Sequence, residues 1–284
     1  MSDPSRFAAD WLSLREAIDH RSRAAALDRR LQDSLSAFHD AASTLRVMDL
    51  GSGAGSNLRY LAARLPWPQH WTLIDHDRDL LDRARTTVVE SADLHLITRC
   101  LDLARLAEID LPRPDLVTAS AWLDLVSADW IEHLAERLEA WRVPVLITLS
   151  VDGRRGFLDV SGRTVDDDDD AVLEAAFNHH QRQPKGLGEQ AALGPAAVQA
   201  LADRLSNRFH VEILPSDWLL SAGSEEADSL GIEVLAGWAA AAREVSSGLR
   251  LPDIERWEAD RLQRIKRGEL GLCVGHQDLL ALPR

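Results

Sequence analysis

Leu45-Arg46-Val47-Met48-Asp49-Leu50-Gly51-Ser52-Gly53-Ala54-Gly55 is the stretch on which the fold turns. Its first six residues form a short, mostly apolar run, and three glycines at alternate positions then allow a sharp turn with no Cβ in the way of a ligand. From Asn57 to Leu65 the apolar residues return at helical spacing. Strand, glycine turn and helix in that order open a parallel α/β sheet.

The same alternation continues downstream. Trp71-Thr72-Leu73-Ile74-Asp75 is a second strand-like run, followed by a helical stretch containing Leu80, Leu81, Ala84 and Val88. Leu94 to Thr98, Asp115 to Ser120 and Val143 to Leu149 are three more such runs, with a helical Trp130 to Trp141 between the last two. Nearly continuous apolar runs suit strands covered by helices on both faces, so residues 45–152 are expected to form a doubly wound core. Upstream, residues 1–44 predict one or two helices, with Leu27, Leu31, Leu35 and Phe38 at helical spacing. After Ser150 the regularity stops, and Asp152-Gly153-Arg154-Arg155-Gly156 opens an irregular region. Residues 153–208 are expected to be an insertion with a helix that forms part of a substrate pocket. The acids Asp166 to Asp170 within it predict a solvated turn, since adjacent acids lack the alternate-residue ligand spacing of a calcium loop. Residues 209–284 supply two late apolar runs, Phe209 to Leu214 and Leu270 to Val274, with helices between them, to close the far edge of the sheet.

Composition narrows the partners. A formal charge of −14 with no basic stripe argues against nucleic acid, which is held by cations that displace counterions. No apolar run approaches the roughly 20 residues that span a bilayer. The polar start Met1-Ser2-Asp3-Pro4-Ser5 has no signal-peptide core behind it, which makes the cytoplasm the expected compartment. Cys100 and Cys273 are far apart, with neither a CxxC partner nor a His cluster, so neither a disulfide nor a metal site is expected. The expected partner is a small-molecule substrate, and a homodimer is compatible with the sequence.

In an open α/β sheet the ligand sits outside the carboxyl ends of the strands, where the strand order reverses. Gly51, Gly53 and Gly55 fall there, and the following helix offers free amides, with Ser56 or Asn57 as its cap. Asp75 ends the second strand 20 residues beyond Gly55, where a carboxylate can accept from two ribose hydroxyls; alone it would be a helix cap. Asp102 and Leu103 follow the third strand, placed to accept from an adenine amino group and to flank the ring. Ser120-Ala121-Trp122 follows the fourth, with Trp122 either edging the substrate or packing in the core.

These residues resemble a known family. Val47 to Gly55 looks like motif I of the class I S-adenosylmethionine-dependent methyltransferases, with Asp75 matching the ribose acid and Asp102 the adenine-side acid. The resemblance spans residues 45–150 and implies a Rossmann-like methyltransferase fold. Its mostly parallel sheet would have seven strands, the last antiparallel, with helical insertions after strands 5 and 6. It implies S-adenosylmethionine as cofactor, held by Asp49, Gly51, Ser52, Gly53, Gly55, Asn57, Asp75, His76, Asp102, Leu103, Ser120 and Ala121. A nicotinamide-dependent dehydrogenase is the rival for the same fold, but a dinucleotide loop wants GxGxxG, whereas position 56 is Ser and the third glycine falls at Gly55. A non-catalytic S-adenosylmethionine-binding or scaffold protein is the alternative from another class.

For the acceptor, the polar stretch Phe177 to Gly188 stands out against the rest of the chain. Arg182 and Lys185 could grip a carboxylate or phosphate there, with Trp122 and Asn178 completing the substrate contacts. His179 or His180 could serve as general base for an oxygen or nitrogen acceptor, with Asp124 orienting it or holding an amine. His276 and Asp278 are expected to follow the last strand as a capped end, and Asp217-Trp218 either walls the pocket or packs in the core.

Overall fold

The computed structural model describes residues 9–40, 42–183, 190–245 and 251–284. Two leading helices, α1 (Ala9–Ser22) and α2 (Ala25–Ser36), precede β1 (Leu45–Leu50), α3 (Ser56–Ala62), β2 (Gln69–Asp75), α4 (Arg78–Thr87), β3 (Leu94–Cys100) and β4 (Leu116–Ser120). Then come α5 (Ala128–Trp141), β5 (Val145–Leu158), α6 (Asp168–Gln181) and α7 (Ala197–Leu205). The rest is β6 (Phe209–Pro215), β7 (Trp218–Leu220), α8 (Ile232–Glu244), α9 (Ile254–Lys266) and β8 (Gly271–Pro283). Among the described residues the sheet order is β3-β2-β1-β4-β5-β8-β6, the expected seven strands, with the short β7 added against β8. β1 to β5 are mutually parallel, and β8 runs antiparallel between β5 and β6. Strand order reverses between β1 and β4, which puts the ligand crevice where the glycine turn lies.

Period-two alternation sends neighbouring residues to opposite faces. Val47 joins Leu45, Trp71 and Leu73 beneath Leu27, Leu31 and Leu35 of α2 and Leu58 and Leu61 of α3. Met48 and Leu50 join Val117, Val145 and Ile147 beneath Trp130, Leu134 and Leu138 of α5 and Leu201 and Leu205 of α7. Each fully buried leucine contributes about 1.5–3 kcal/mol, so the three leucines of α2 are enough to dock it. Phe38 does not join them: α2 ends at Ser36, and Phe38 is 83% exposed.

The largest departure from expectation lies beyond Ser150. The strand does not stop there: β5 continues to Leu158, with register shifts between Ile147 and Ser150 and between Val151 and Arg155, the first beside Leu149 at φ 54°. It pairs along its length with β8, so His276 and Asp278 lie inside a strand and are not a capped end. This β5–β8 extension carries a third core, in which Phe157, Trp218 and Leu272 pack against Leu173 of α6, Trp238 of α8 and Trp257 of α9; Ile18 of α1 joins it.

The acid run is also more than a solvated turn. Asp166 accepts from the amide of Phe157 (2.7 Å), and Asp167 and Asp170 form a capping box that starts α6. Asp170 is buried and accepts from Trp257 Nε1 (2.6 Å) and from Arg261 Nε (3.1 Å) and Nη2 (2.8 Å), which ties α6 to α9. Arg261→Met leaves that carboxylate without its counter-ion, so a loss of about 3 kcal/mol is expected in urea unfolding. Unfolding free energy within 1 kcal/mol of wild type would show the pair to be incidental. Among the described residues no helix is long and apolar enough to cross a membrane, and no cluster could hold a metal ion. Both cysteines are free.

Candidate active site

All three glycines of the turn adopt left-handed backbone: Gly51 at φ 64°, Gly53 at 50° and Gly55 at 80°. L-residues pay about 1–2 kcal/mol there, which is why the turn is written in glycine. Gly51 has a second reason. A Cβ on it would lie 2.4 Å from Nε1 of Trp122, whose indole donates to the carbonyl of Leu50 (2.6 Å) and packs edge-on against Trp130. Trp122 is thus at once a core residue and part of the cavity wall. Gly55 is the N-cap of α3, and no side chain caps it; neither Ser56 nor Asn57 does so.

A cavity of about 630 Å³ opens over this turn, at the carboxyl ends of β1, β2 and β4. Every residue expected to hold the cofactor lines it except Gly55, which is turned toward Ala84 and Leu73. Asp75 accepts from the amides of Gly53 (2.8 Å, through Oδ2) and Asp77 (2.9 Å, through Oδ1), with His76 Nδ1 3.4 Å away. Its carboxylate therefore braces the glycine turn while facing the cavity. Asp102 caps the turn that begins at Leu103 by accepting from Ala104 (2.9 Å), so its capping and cavity-facing positions coincide. Ala121 lines the wall at φ 64°, held by its amide on Thr148 (2.9 Å).

Asp49 is fully buried, and burial pushes its carboxyl up to about 6 against the hydrogen bonds that favour its charge. Oδ1 accepts from Asn57 Nδ2 (2.8 Å) and Thr118 Oγ1 (2.7 Å), whereas Oδ2 has no partner. Ser52 Oγ, also buried on the cavity wall, has none either. Asp124 sits on the short turn between the wall residues Trp122 and Leu125 but is not itself among the residues that line the cavity; it is 8% exposed, and burial raises its carboxyl to about 6.

No local pattern in the sequence marks the opposite wall. Leu12, Arg15, Glu16 and Asp19 of α1 recur on one helical face and close the cavity. Arg15 pairs with Asp19 (2.8 Å), Asp19 accepts from Trp218 Nε1 (3.0 Å), and Glu16 pairs with Arg59 of α3 (2.6 Å). In sequence, Arg15 and Asp19 are an ordinary i,i+4 pair of the kind that decorates exposed helices; only their burial would have marked them.

The polar stretch on α6 is not brought to this cavity. His180 pairs with Glu244 of α8 (2.9 Å), and His179 is exposed. Asn178 donates to the carbonyl of Gly153 (3.0 Å) and accepts from Arg155 (3.2 Å), and Arg182 is exposed beside Gly194. None of the four lines the cavity, because α6 packs on the β5–β8 extension and its end is spent there. Lys185 lies outside the described residues. His276 is buried against Trp218, donates through Nδ1 to Val274 and is held neutral, its pKa depressed to about 3 by burial.

Residues 47–143 match the family of methyltransferase domains. No curated protein matches the chain in sequence. Among solved structures, a loganic acid methyltransferase with S-adenosylhomocysteine is 8% identical, with a TM-score of 0.51 over 100% of this chain and 98% of that one. An S-adenosylmethionine-dependent methyltransferase from Thiobacillus denitrificans is 16% identical over 98% and 99% of the two chains, with a TM-score of 0.48. The YcgJ protein of Bacillus subtilis is 14% identical over 92% and 99%, with a TM-score of 0.46. The first of these likenesses is one of fold; the family match covers about a third of the chain.

Proposed function

We propose that this chain transfers the methyl group of S-adenosylmethionine to an oxygen or nitrogen of a small molecule, a reading supported by the match of residues 47–143 to methyltransferase domains. The observation that carries the cofactor assignment is a buried carboxylate oxygen with no partner, Asp49 Oδ2, in the wall beside the glycine turn. An acceptor oxygen left bare in a buried wall suits an ammonium group, which the methionine part of that cofactor has. Asp75 then accepts from the ribose hydroxyls, each of its oxygens keeping a lone pair beyond the backbone amide it holds. Asp102 and Leu103 take the adenine, and Ser120 and Ala121 edge the methionine part.

When bound, the cofactor supplies an activated methyl group, so the protein's task is alignment and removal of a proton. We assign the second task to Asp124, which stands between two wall residues although its own side chain is not among those lining the cavity. Its pKa of about 6 leaves it ionised near neutrality and still basic enough to take a proton from a hydroxyl or ammonium group. Arg15 of α1 faces it electrostatically and favours the charged form. The polar wall of α1 supports a polar acceptor of limited size, enclosed between Trp122, Leu125 and α1.

Isothermal titration with S-adenosylhomocysteine tests the cofactor; no binding by the wild type would overturn the assignment. Labelled methyl transfer to a panel of small hydroxy and amino compounds tests the reaction. Asp124→Asn is expected to lower kcat by about 10²- to 10⁴-fold while leaving S-adenosylhomocysteine affinity within threefold. Raised from its ordinary 3.8, the Asp124 carboxyl is lost as a base when pH falls through about 6, so wild-type kcat should drop below that pH. A variant that keeps its kcat would remove Asp124 from the reaction.

A further inference from the structure

Arg23 lies in the turn between α1 and α2, outside the cavity wall, and is 6% exposed. Two carboxylates flank its guanidinium, Asp278 of β8 at 3.6 Å and Asp28 of α2 at 3.8 Å, and the ring of Tyr60 lies 4.3 Å away. Its Nε and Nη2 make no hydrogen bond. The bond it does make is from Nη1 to Oδ1 of Asn57 (2.9 Å).

That choice of partner has a consequence for the cavity. A guanidinium only donates, so Asn57 must turn its amide oxygen toward Arg23. The amide nitrogen then has to face the other way, and it donates to Oδ1 of Asp49 (2.8 Å). With Thr118 Oγ1 on the same oxygen, Asp49 has Oδ1 committed and Oδ2 bare. Asp49, whose oxygens accept, calls for the same orientation, so the amide is held from both ends; without Arg23 its oxygen loses its donor and Asp49 alone keeps it from flipping.

We propose that Arg23 is a positioning residue for cofactor binding: it holds the oxygen end of the Asn57 amide, and so steadies the orientation and charge of Asp49. The proposal rests on the cofactor assignment above for its consequence, but its structural part stands without a ligand. The charged groups facing Asp49 are Arg23, which favours its ionised form, and Asp75 of β2, which opposes it; Asn57 of α3 and Thr118 of β4 donate to it.

Two measurements test this. In the ligand-free protein, the carboxyl carbon of Asp49 is followed by NMR as pH is varied. R23Q should move its midpoint upward by about half to one pH unit, since an opposite charge is removed. An unmoved midpoint overturns the proposal whether or not the cofactor assignment is right. In the second, S-adenosylhomocysteine affinity at pH 7.5 is compared across R23Q, N57A and the double variant. Each single change should weaken binding by about tenfold, and the double variant should be no weaker than N57A. Effects that multiply to about a hundredfold would mean that Arg23 acts on the fold and not through Asn57. Should R23Q fold poorly, R23K keeps the charge between Asp28 and Asp278 and enters both measurements in its place. It should retain the Asp49 midpoint and lose part of the affinity; a moved midpoint with unchanged affinity would overturn the proposal.

Discussion

Asp75→Ala is expected to weaken S-adenosylhomocysteine binding by about 100-fold or more. In the proposed binding mode two hydrogen bonds from ribose to a carboxylate are lost, each contributing about 1.5–3 kcal/mol. The same change frees the amides of Gly53 and Asp77, so the turn that receives the methionine part loosens as well. Asp75→Asn keeps one acceptor oxygen and should lose about tenfold. Calorimetry reads both, with circular dichroism to show that the fold is retained. Unchanged affinity in the alanine variant would remove Asp75 from the cofactor site.

Gly51→Ala is expected to cost about 3 kcal/mol or more in folding stability, far more than Gly53→Ala in the same turn. Both positions have left-handed backbone, so each carries the roughly 1–2 kcal/mol conformational cost of a side chain there. Their surroundings differ. At Gly53 the nearest atom to a new Cβ is Leu12 Cδ1 at 3.5 Å, an ordinary contact, whereas at Gly51 three indole atoms of Trp122 lie within 2.8 Å. Trp122 cannot move aside without giving up its hydrogen bond to Leu50 and its packing on Trp130, and overpacking of this kind costs about 1–3 kcal/mol in addition. Thermal unfolding compares the two variants. Equal losses would show that backbone strain alone explains the glycines.

What could be seen in the sequence followed how locally each feature is encoded. The strand and turn from Leu45 to Gly55 carry their own signals, continuous apolar residues and then glycines, and the structure places them at the strand-order reversal as expected. β5 was cut short in the sequence because its environment changes partway. Up to Ser150 every residue is buried and all but Thr148 and Ser150 are apolar; beyond it Asp152, Arg154 and Arg155 bring charge and Gly153 and Gly156 break the run, which hides a strand. His179 and His180 drew attention by residue type alone, which says nothing about where α6 packs. The wall formed by α1 was invisible for the opposite reason: Arg15 and Asp19 have the spacing of a surface pair, and their burial depends on Trp218, about 200 residues later. Asn57 was seen as part of the site, but its partner Arg23 was not, since no local pattern links a turn residue to an amide 34 positions on.

The placement of β8 between β5 and β6 bears on how the chain is made. The ribosome delivers β5 and β6 before the strand that joins them, so both wait with open hydrogen-bonding edges until residues 271–283 emerge. The half of the sheet around the glycine turn needs no such wait, since β1 to β4 pair among themselves. Nascent chains stalled before residue 271 should therefore protect the glycine turn from protease while leaving β6 open to cleavage. It falls to β8 to turn a folded half and a waiting half into one molecule.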